Sequence, residues 1–351
     1  MAKCLVTGAG GFVGKALCLR LLAEGHQVCG LARGKYPDLE RAGVRMYQID
    51  LSQVATSPAN TKQPDAPLAQ ALEGVQAVFH VAAKVEMWGH YQDFFAANVL
   101  GTRRLLQQAR ASGVRQFIFT SSPSVVAGTG DLIGVDESQA YPERHLAYYP
   151  QTKALAEREV LQAQTHDFAT IALRPHLIFG PGDSHLVPTI LEKADRGHLA
   201  QIGDGTNLTD VCFIDDCVQA HLDAWRALER NPAVGAKAYF ISQGEPIKLW
   251  QWINQILECS GRPALSRKVP TRLAYTLATA FEGFAIIRQS LGGAVRQPRL
   301  TRFLVHEMAS SHYFNISAAR TALGYSPRYT IAQAMQRTFS AQAAESSPQI
   351  L

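Results

Sequence analysis

Tyr149 and Lys153 stand four residues apart in the run Tyr148-Tyr149-Pro150-Gln151-Thr152-Lys153. Proline is well placed at a helix start, and Ala154 to Gln162 continue the helix, so this spacing puts both side chains on one face. An ammonium beside a phenol stabilises the phenolate and lowers its pKa from about 10. Tyr149 is then suited to exchange a proton with a carbonyl or an alcohol. Tyr148 has Thr152 four residues on and lacks such a partner. Upstream, Ser121-Ser122 follow the predicted strand Gln116 to Thr120. Ligands of open α/β sheets collect at such strand ends, although a serine pair there also serves to turn or cap the chain.

A second constellation lies near the start. Gly8-Ala9-Gly10-Gly11-Phe12-Val13-Gly14 follow the apolar run Lys3 to Thr7 and precede a helical pattern that ends near Gly25. Strand, glycine turn and helix in that order form a dinucleotide-binding context. The glycines allow a tight turn and close approach of the backbone to a pyrophosphate. The helix N-terminus offers free N–H groups to the anion. After the second predicted strand, Gln27 to Ala32, no acid stands where a ribose 2′-hydroxyl would be held; Arg33 and Lys35 stand there instead. Cations at that place suit a 2′-phosphate, or belong to an ordinary basic surface loop.

The elements that must position these residues alternate. Predicted strands cover Val44 to Ile49, Ala77 to Ala83 and Gln116 to Thr120, with a long helix from about Gln92 to Ala111. Continuously apolar strands fit a parallel sheet covered on both faces, and the alternation predicts a doubly wound α/β fold. Residues 52–67 read as a loop. A sixth main strand is expected to end in the run Ala172 to Asp183, which then leads away from it, and later strands are expected at Asp210 to Asp215 and Lys237 to Ser242. We expect a dinucleotide-binding domain over 1–178, rejoined by about 209–243. A smaller, mostly helical substrate lobe is expected over 179–208 and 244–340, and a loose tail over 341–351. Leu273, Leu277, Ala280, Phe281, Phe284, Ile287 and Leu291 form one helical stripe. It reads as a core-facing helix, as a lid over a greasy substrate, or as a membrane-surface contact.

The chain has 351 residues, is 47% hydrophobic and 18% charged, and carries a net charge of +5. This suits a soluble globular protein with a large core, and the charge is too small and too scattered to indicate nucleic acid. The six cysteines form no Cys-x-x-Cys pair and read as free thiols of a reducing compartment. With the chain entering a strand at once, a cytoplasmic location is expected. His176 and His185 show no ligand spacing, so no metal is expected.

Together these features resemble the extended short-chain dehydrogenase/reductases. The resemblance implies that Gly8, Gly11 and Gly14, with Phe12 and Val13, meet the cofactor pyrophosphate. Asp50 and Leu51 would approach the adenine, and Val81, Ala82, Ala83, Lys84 and Pro175 would line the nicotinamide side. Ser122, Tyr149 and Lys153 would be the catalytic triad, with Tyr149 and Lys153 also touching the cofactor. Ser122 is preferred to Ser121 because it matches the last serine of the family's strand-end run. The run Ala172 to Asp183, the turn Gly203 to Asn207, and Asn315 to Ser317 with Ala322 to Pro327 are similar to the 3β-hydroxysteroid dehydrogenase branch. Within it Ala83 to Tyr91, Asn98 to Thr102 and Thr120 to Val125 most resemble the 2-alkyl-3-oxoalkanoate reductases of bacterial olefin biosynthesis. The resemblance implies NADP as cofactor, with NAD as the alternative, and a hydrophobic small-molecule substrate. It also implies other olefin-pathway enzymes as partners and a homo-oligomer. The expected reaction is NADP(H)-dependent reduction of a long-chain 3-oxo acid. A sterol dehydrogenase is the alternative; a nucleotide-sugar epimerase and a non-catalytic dinucleotide sensor rank below it.

Overall fold

The computed structural model describes residues 1–53, 65–292 and 294–346. Its centre is a seven-stranded sheet. The strands are β1 (Lys3–Thr7), β2 (Gln27–Ala32), β3 (Arg45–Gln48), β4 (Ala77–His80), β5 (Gln116–Thr120), β6 (Ala169–Pro175) and β7 (Ala238–Ile241). Their order is β7-β6-β5-β4-β1-β2-β3, and every pairing is parallel. β4 and β6 are buried at every position, as expected of central strands covered on both faces. The strand order reverses between β1 and β4, so a crevice opens at their carboxyl ends, the ligand position of this architecture.

The helices that matter for the site are α1 (Phe12–Ala23), α2 (Gly101–Ala111), α3 (Tyr148–Gln162), α4 (Ile214–Arg230), α5 (Thr271–Ser290) and α6 (Arg302–Ala309). The single helix expected from Gln92 to Ala111 is interrupted. Tyr91–Phe94 is α-helical, Phe95–Leu100 forms a wider π turn, and α2 follows. Such turns inside helices often mark functional places, and this one carries Asn98. The strand expected over Asp210 to Asp215 shrinks to Cys212–Phe213, and α4 begins at Ile214. Those two residues pair with Ile178–Phe179 outside the central sheet, while the Phe213 N–H donates to the Gln243 side chain at 2.8 Å.

The segments expected as a separate lobe share the core of the nucleotide-binding part. One buried cluster runs from Val6 and Leu17 through Phe179 to Trp250, Tyr325 and Ile331. Strand Leu132–Val135 pairs with His312–Phe314 across the division. The last helix, Ile331–Ser346, runs past the expected boundary of a loose tail at 341. Residues 347–351 of that tail, and 54–64 of the loop expected over 52–67, lie outside the described residues.

The core-facing reading of the apolar stripe on α5 is corrected. Its inward face is Ala274, Ala278 and Glu282. The small alanines let α6 pack closely, and Glu282 accepts hydrogen bonds from Arg302 Nε at 2.6 Å and from the Arg302 backbone N–H at 2.7 Å. The large side chains turn outwards instead: Leu273, Leu277, Phe281, Ile286 and Ile287 are exposed, with Phe284 at 69% and Leu291 at 82%. Five of the cysteines are buried free thiols, and Cys259 is exposed.

One buried ion pair joins α3 to the sheet. Arg174 of β6 donates from Nε and Nη2 to the two carboxylate oxygens of Glu157 at 3.0 and 2.6 Å, and the Tyr141 hydroxyl donates to the same carboxylate at 2.6 Å. Replacing Glu157 by leucine would strand the Arg174 guanidinium in the core. Urea denaturation should show a loss of about 3–5 kcal/mol. The double change Glu157→Leu with Arg174→Met should recover most of it, because no unpaired charge then remains buried.

Candidate active site

The glycine turn forms because its residues tolerate what others would not. Gly8 has φ +66°, and a Cβ there would lie 2.9 Å from the Ala82 nitrogen; one on Gly14 would lie 2.1 Å from the Gly8 carbonyl oxygen. Turn, strand end and helix are therefore pressed together. Gly11 is the N-cap of α1 and supplies no side-chain cap. The Gly11 N–H donates to the Gly8 carbonyl at 2.9 Å, and the N–H groups of Phe12 and Val13 in the first turn are left for an anion. Gly10 makes room for a ring, since a Cβ there would fall 1.8 Å from the Tyr36 side chain. Tyr36 lies against the turn, a neighbour that spacing alone did not reveal.

The residues expected to line a dinucleotide fall around this crevice. Arg33 and Lys35 are exposed beyond β2, and the Arg33 carbonyl accepts from Gln48 Nε2 at 2.9 Å. The Asp50 carboxylate accepts from the backbone and hydroxyl of Ser52 at 2.9 and 2.7 Å. Leu51 is buried against Gly101. Val81 to Lys84 leave β4 beside Gly8, and Pro175 ends β6. Lys84 pairs with Glu86 at 2.7 Å.

Beneath them runs a fully satisfied relay. Thr102 donates its hydroxyl to the Asn98 carbonyl at 2.6 Å, so it accepts from His80 Nε2 at 2.9 Å. His80 Nδ1 is then the acceptor for the Thr7 hydroxyl at 2.7 Å, and Thr7 accepts from the Ala82 N–H at 3.1 Å. This fixes the His80 tautomer. Burial holds the imidazole neutral, its pKa pulled down to about 3. Asn98 adds two bonds to the Lys84 backbone, at 2.7 and 3.1 Å, and donates to Thr152 of α3 at 3.0 Å. The π turn thus locks the strand-end loop to the helix that carries Tyr149.

Ser122 lies beside Tyr149, and Lys153, one turn further along α3, reaches the end of β5. Ser122 lies close enough to Tyr149 to favour the phenolate, and its hydroxyl is 2.9 Å from that of Ser124. The Ser121 hydroxyl is instead buried without a partner among the described residues. Tyr148 is half exposed and packs edge-on against Tyr91. The expected effect of Lys153 on Tyr149 is corrected. Burial raises the Tyr149 pKa above its usual value, opposed by Ser122. Lys153 donates from Nζ to the Thr120 carbonyl at 2.6 Å and lies over the Phe119 ring. Burial pulls its own pKa down to about 7. The phenol is therefore held protonated, as a proton donor to a carbonyl must be. Tyr149→Phe should lower turnover by about 10²- to 10⁴-fold, while dinucleotide binding, read by fluorescence titration, stays within about two-fold. Near-normal turnover would remove Tyr149 from the reaction.

Against known proteins, residues 5–271 match the model of the 3-beta hydroxysteroid dehydrogenase/isomerase family. A 2-alkyl-3-oxoalkanoate reductase of Stenotrophomonas maltophilia is 39% identical over 97% of this chain and 100% of its own. A decarboxylating sterol-4-alpha-carboxylate 3-dehydrogenase of Mus musculus is 33% identical over 96% of this chain and 90% of its own. Among solved structures, gox2253 superposes with a TM-score of 0.76 at 26% identity, covering 99% of each chain. With a family model spanning most of its length and relatives this similar along nearly all of it, the chain belongs to the 3-beta hydroxysteroid dehydrogenase/isomerase family.

Proposed function

We propose that this chain is an NADP(H)-dependent oxidoreductase that reduces the 3-oxo group of a long-chain 2-alkyl-3-oxoalkanoate to the 3-hydroxy acid. Family membership already makes it a dehydrogenase/reductase acting on a CH–OH/C=O pair. The observation that carries the finer reading is the meeting of a protonated Tyr149, Ser122 and buried Lys153 at the carboxyl end of β5, across from an uncapped helix N-terminus. The cradle of Gly8, Gly11 and Gly14 fits a dinucleotide, because any side chain at Gly8 or Gly14 would clash with the backbone opposite. When bound, that cofactor supplies the hydride.

The chain's own residues manage the proton. Tyr149 gives its proton to the carbonyl oxygen as charge builds there, Ser122 donates a hydrogen bond to the same oxygen, and Lys153 holds the ribose side. Arg33 and Lys35, exposed at the end of β2, would meet a 2′-phosphate through charge-assisted bonds. Segments 179–208 and 244–340 serve as the substrate lobe. The named relatives support the substrate class, and a sterol dehydrogenase is the second reading because relatives of that name cover the same length.

Oxidation of 2-alkyl-3-hydroxy acids avoids the unstable β-keto acid and tests the proposal directly. With NADP, kcat/KM should climb about four-fold per added methylene up to a limiting chain length, since each buried methylene contributes about 0.8 kcal/mol. Arg33→Ala should raise KM for NADP and leave that for NAD unchanged. Faster oxidation of a 3β-hydroxysteroid than of any hydroxy acid would move the assignment to the second reading.

The outward face of α5 supports a peripheral contact with an anionic membrane surface. Arg272 within it, and Arg267, Lys268, Arg296 and Arg299 before and after it in the chain, are exposed. Glu282, the one acid between Arg262 and Arg302, turns inwards to Arg302. Apolar area flanked by cations is the pattern of interfacial helices, and among the described residues no helix is long and apolar enough to cross a membrane. The protein should cosediment with phosphatidylglycerol vesicles more than with phosphatidylcholine ones. Phe284→Asp with Ile287→Asp should abolish this without lowering the melting temperature, because both side chains are exposed. Absence of wild-type binding would reject the contact.

A further inference from the structure

Gly10 lies outside the Gly8-x-x-Gly11-x-x-Gly14 spacing, and the backbone contacts that require Gly8 and Gly14 do not require it. Its neighbour is Tyr36. A Cβ on Gly10 would collide with Cζ, Cε1 and Cε2 of the Tyr36 ring. The hydroxyl end of the ring therefore rests on this glycine, and a side chain there would drive it off. A Cβ on Gly34 would lie 3.5 Å from Cε2 and from the hydroxyl oxygen. The same end of the ring thus meets the loop between Arg33 and Lys35. One half-buried side chain bridges the glycine turn and the loop that carries both cations.

The bridge is pinned from behind. Tyr36 precedes Pro37, which biases its backbone to extended conformations, and its φ is −134°. Its carbonyl accepts from the Leu39 N–H at 3.0 Å and from the Glu40 N–H at 3.2 Å, at the start of the short helix Pro37–Arg41. Leu39 is fully buried in the core. Asp38, the next acid after Arg33 in the chain, pairs with Lys15 of α1. The segment is fastened to the core and to α1, so the ring is delivered onto Gly10 from a fixed backbone. Arg33 and Lys35 are exposed. Long cations of this kind lose much rotamer freedom when they grip a ligand. A loop already held against the turn spares the backbone share of that cost.

We propose that Tyr36, seated on Gly10, is a positioning residue for the adenosine 2′-phosphate: it holds the Arg33–Lys35 loop within reach of that phosphate and so sets the preference for NADP over NAD. This rests on the reading of NADP as the cofactor. The role belongs to the ring as a spacer, since ring carbons make the contact with Gly10. Arg33 and Lys35 supply the charge, and Tyr36 supplies their place.

The test compares adenosine 2′,5′-bisphosphate with adenosine 5′-monophosphate, which differ in the 2′-phosphate alone. Each is titrated by calorimetry into the full chain without cofactor. The wild type should bind the bisphosphate more tightly. In Tyr36→Ala the ratio of the two affinities should fall about 5- to 10-fold, whereas Tyr36→Phe keeps the spacer and should hold the ratio within about two-fold. Gly10→Ala drives the ring off and should lower the ratio as Tyr36→Ala does. The double variant should fall little further, because both changes break one contact. Monophosphate binding reports an intact turn in each variant. A wild-type ratio in Tyr36→Ala, an equal fall in Tyr36→Phe, or losses that add in the double variant would overturn the positioning role and leave the NADP reading standing. A wild type that binds both ligands equally would overturn the NADP reading and the role with it.

Discussion

The ion pair of Arg174 with Glu157 is the contact on which the site depends. Tyr149, Lys153 and Glu157 follow one another at intervals of four on α3, so they share its inward face. Fixing Glu157 to β6 by two hydrogen bonds sets how far α3 slides along the sheet and how it is turned. With that register set, the Lys153 ammonium reaches the Thr120 carbonyl and Tyr149 comes beside Ser122, both at the end of β5. Arg174 lies two residues before His176, so the same pair orders the strand end that presents the imidazole. The Arg174 guanidinium is also packed over the Tyr141 and Phe240 rings, which excludes water from a pair whose separation would leave a bare charge in the core.

The other wall of the crevice is held by hydrogen bonds between neutral groups. From the Ala82 N–H through Thr7, His80 and Thr102 to the Asn98 carbonyl, every donor meets an acceptor. A network completed in this way rigidifies a buried polar region, whereas one missing partner would make it costly. It ties the ends of β1 and β4 to the π turn, and Asn98 passes the constraint to α3 through Thr152. The two walls are therefore braced against each other at the carboxyl ends of the strands.

The elements with local signatures were legible in the sequence. Glycine spacing, apolar strands and the Tyr149/Lys153 interval are statements about neighbours in the chain, and the parallel sheet followed from their alternation. What escaped depends on partners far apart. Asp210 meets His176 from 34 residues away, and no periodicity announces it. Glu157 left a faint signal, as an acid in phase with Tyr149 and Lys153 on a face that had to be buried. The relation of Lys153 to Tyr149 was misjudged because spacing reports a shared face and says nothing of a third group, here the Thr120 carbonyl, that captures the ammonium.

The apolar stripe of α5 exposes a limit of hydrophobic periodicity itself. A moment identifies the greasy side of a helix, and burial is then assumed to follow it. On α5 the direction is reversed, because Ala274 and Ala278 allow close approach to α6 and the ion pair of Glu282 with Arg302 fixes that side inwards. Once that face is committed, the large side chains have only solvent before them. Keeping so many exposed carries a risk of aggregation that a plain surface helix avoids. A reaction on long-chain substrates gives this face a physical reason, since an apolar rim at a lipid surface spares such a molecule a passage through water.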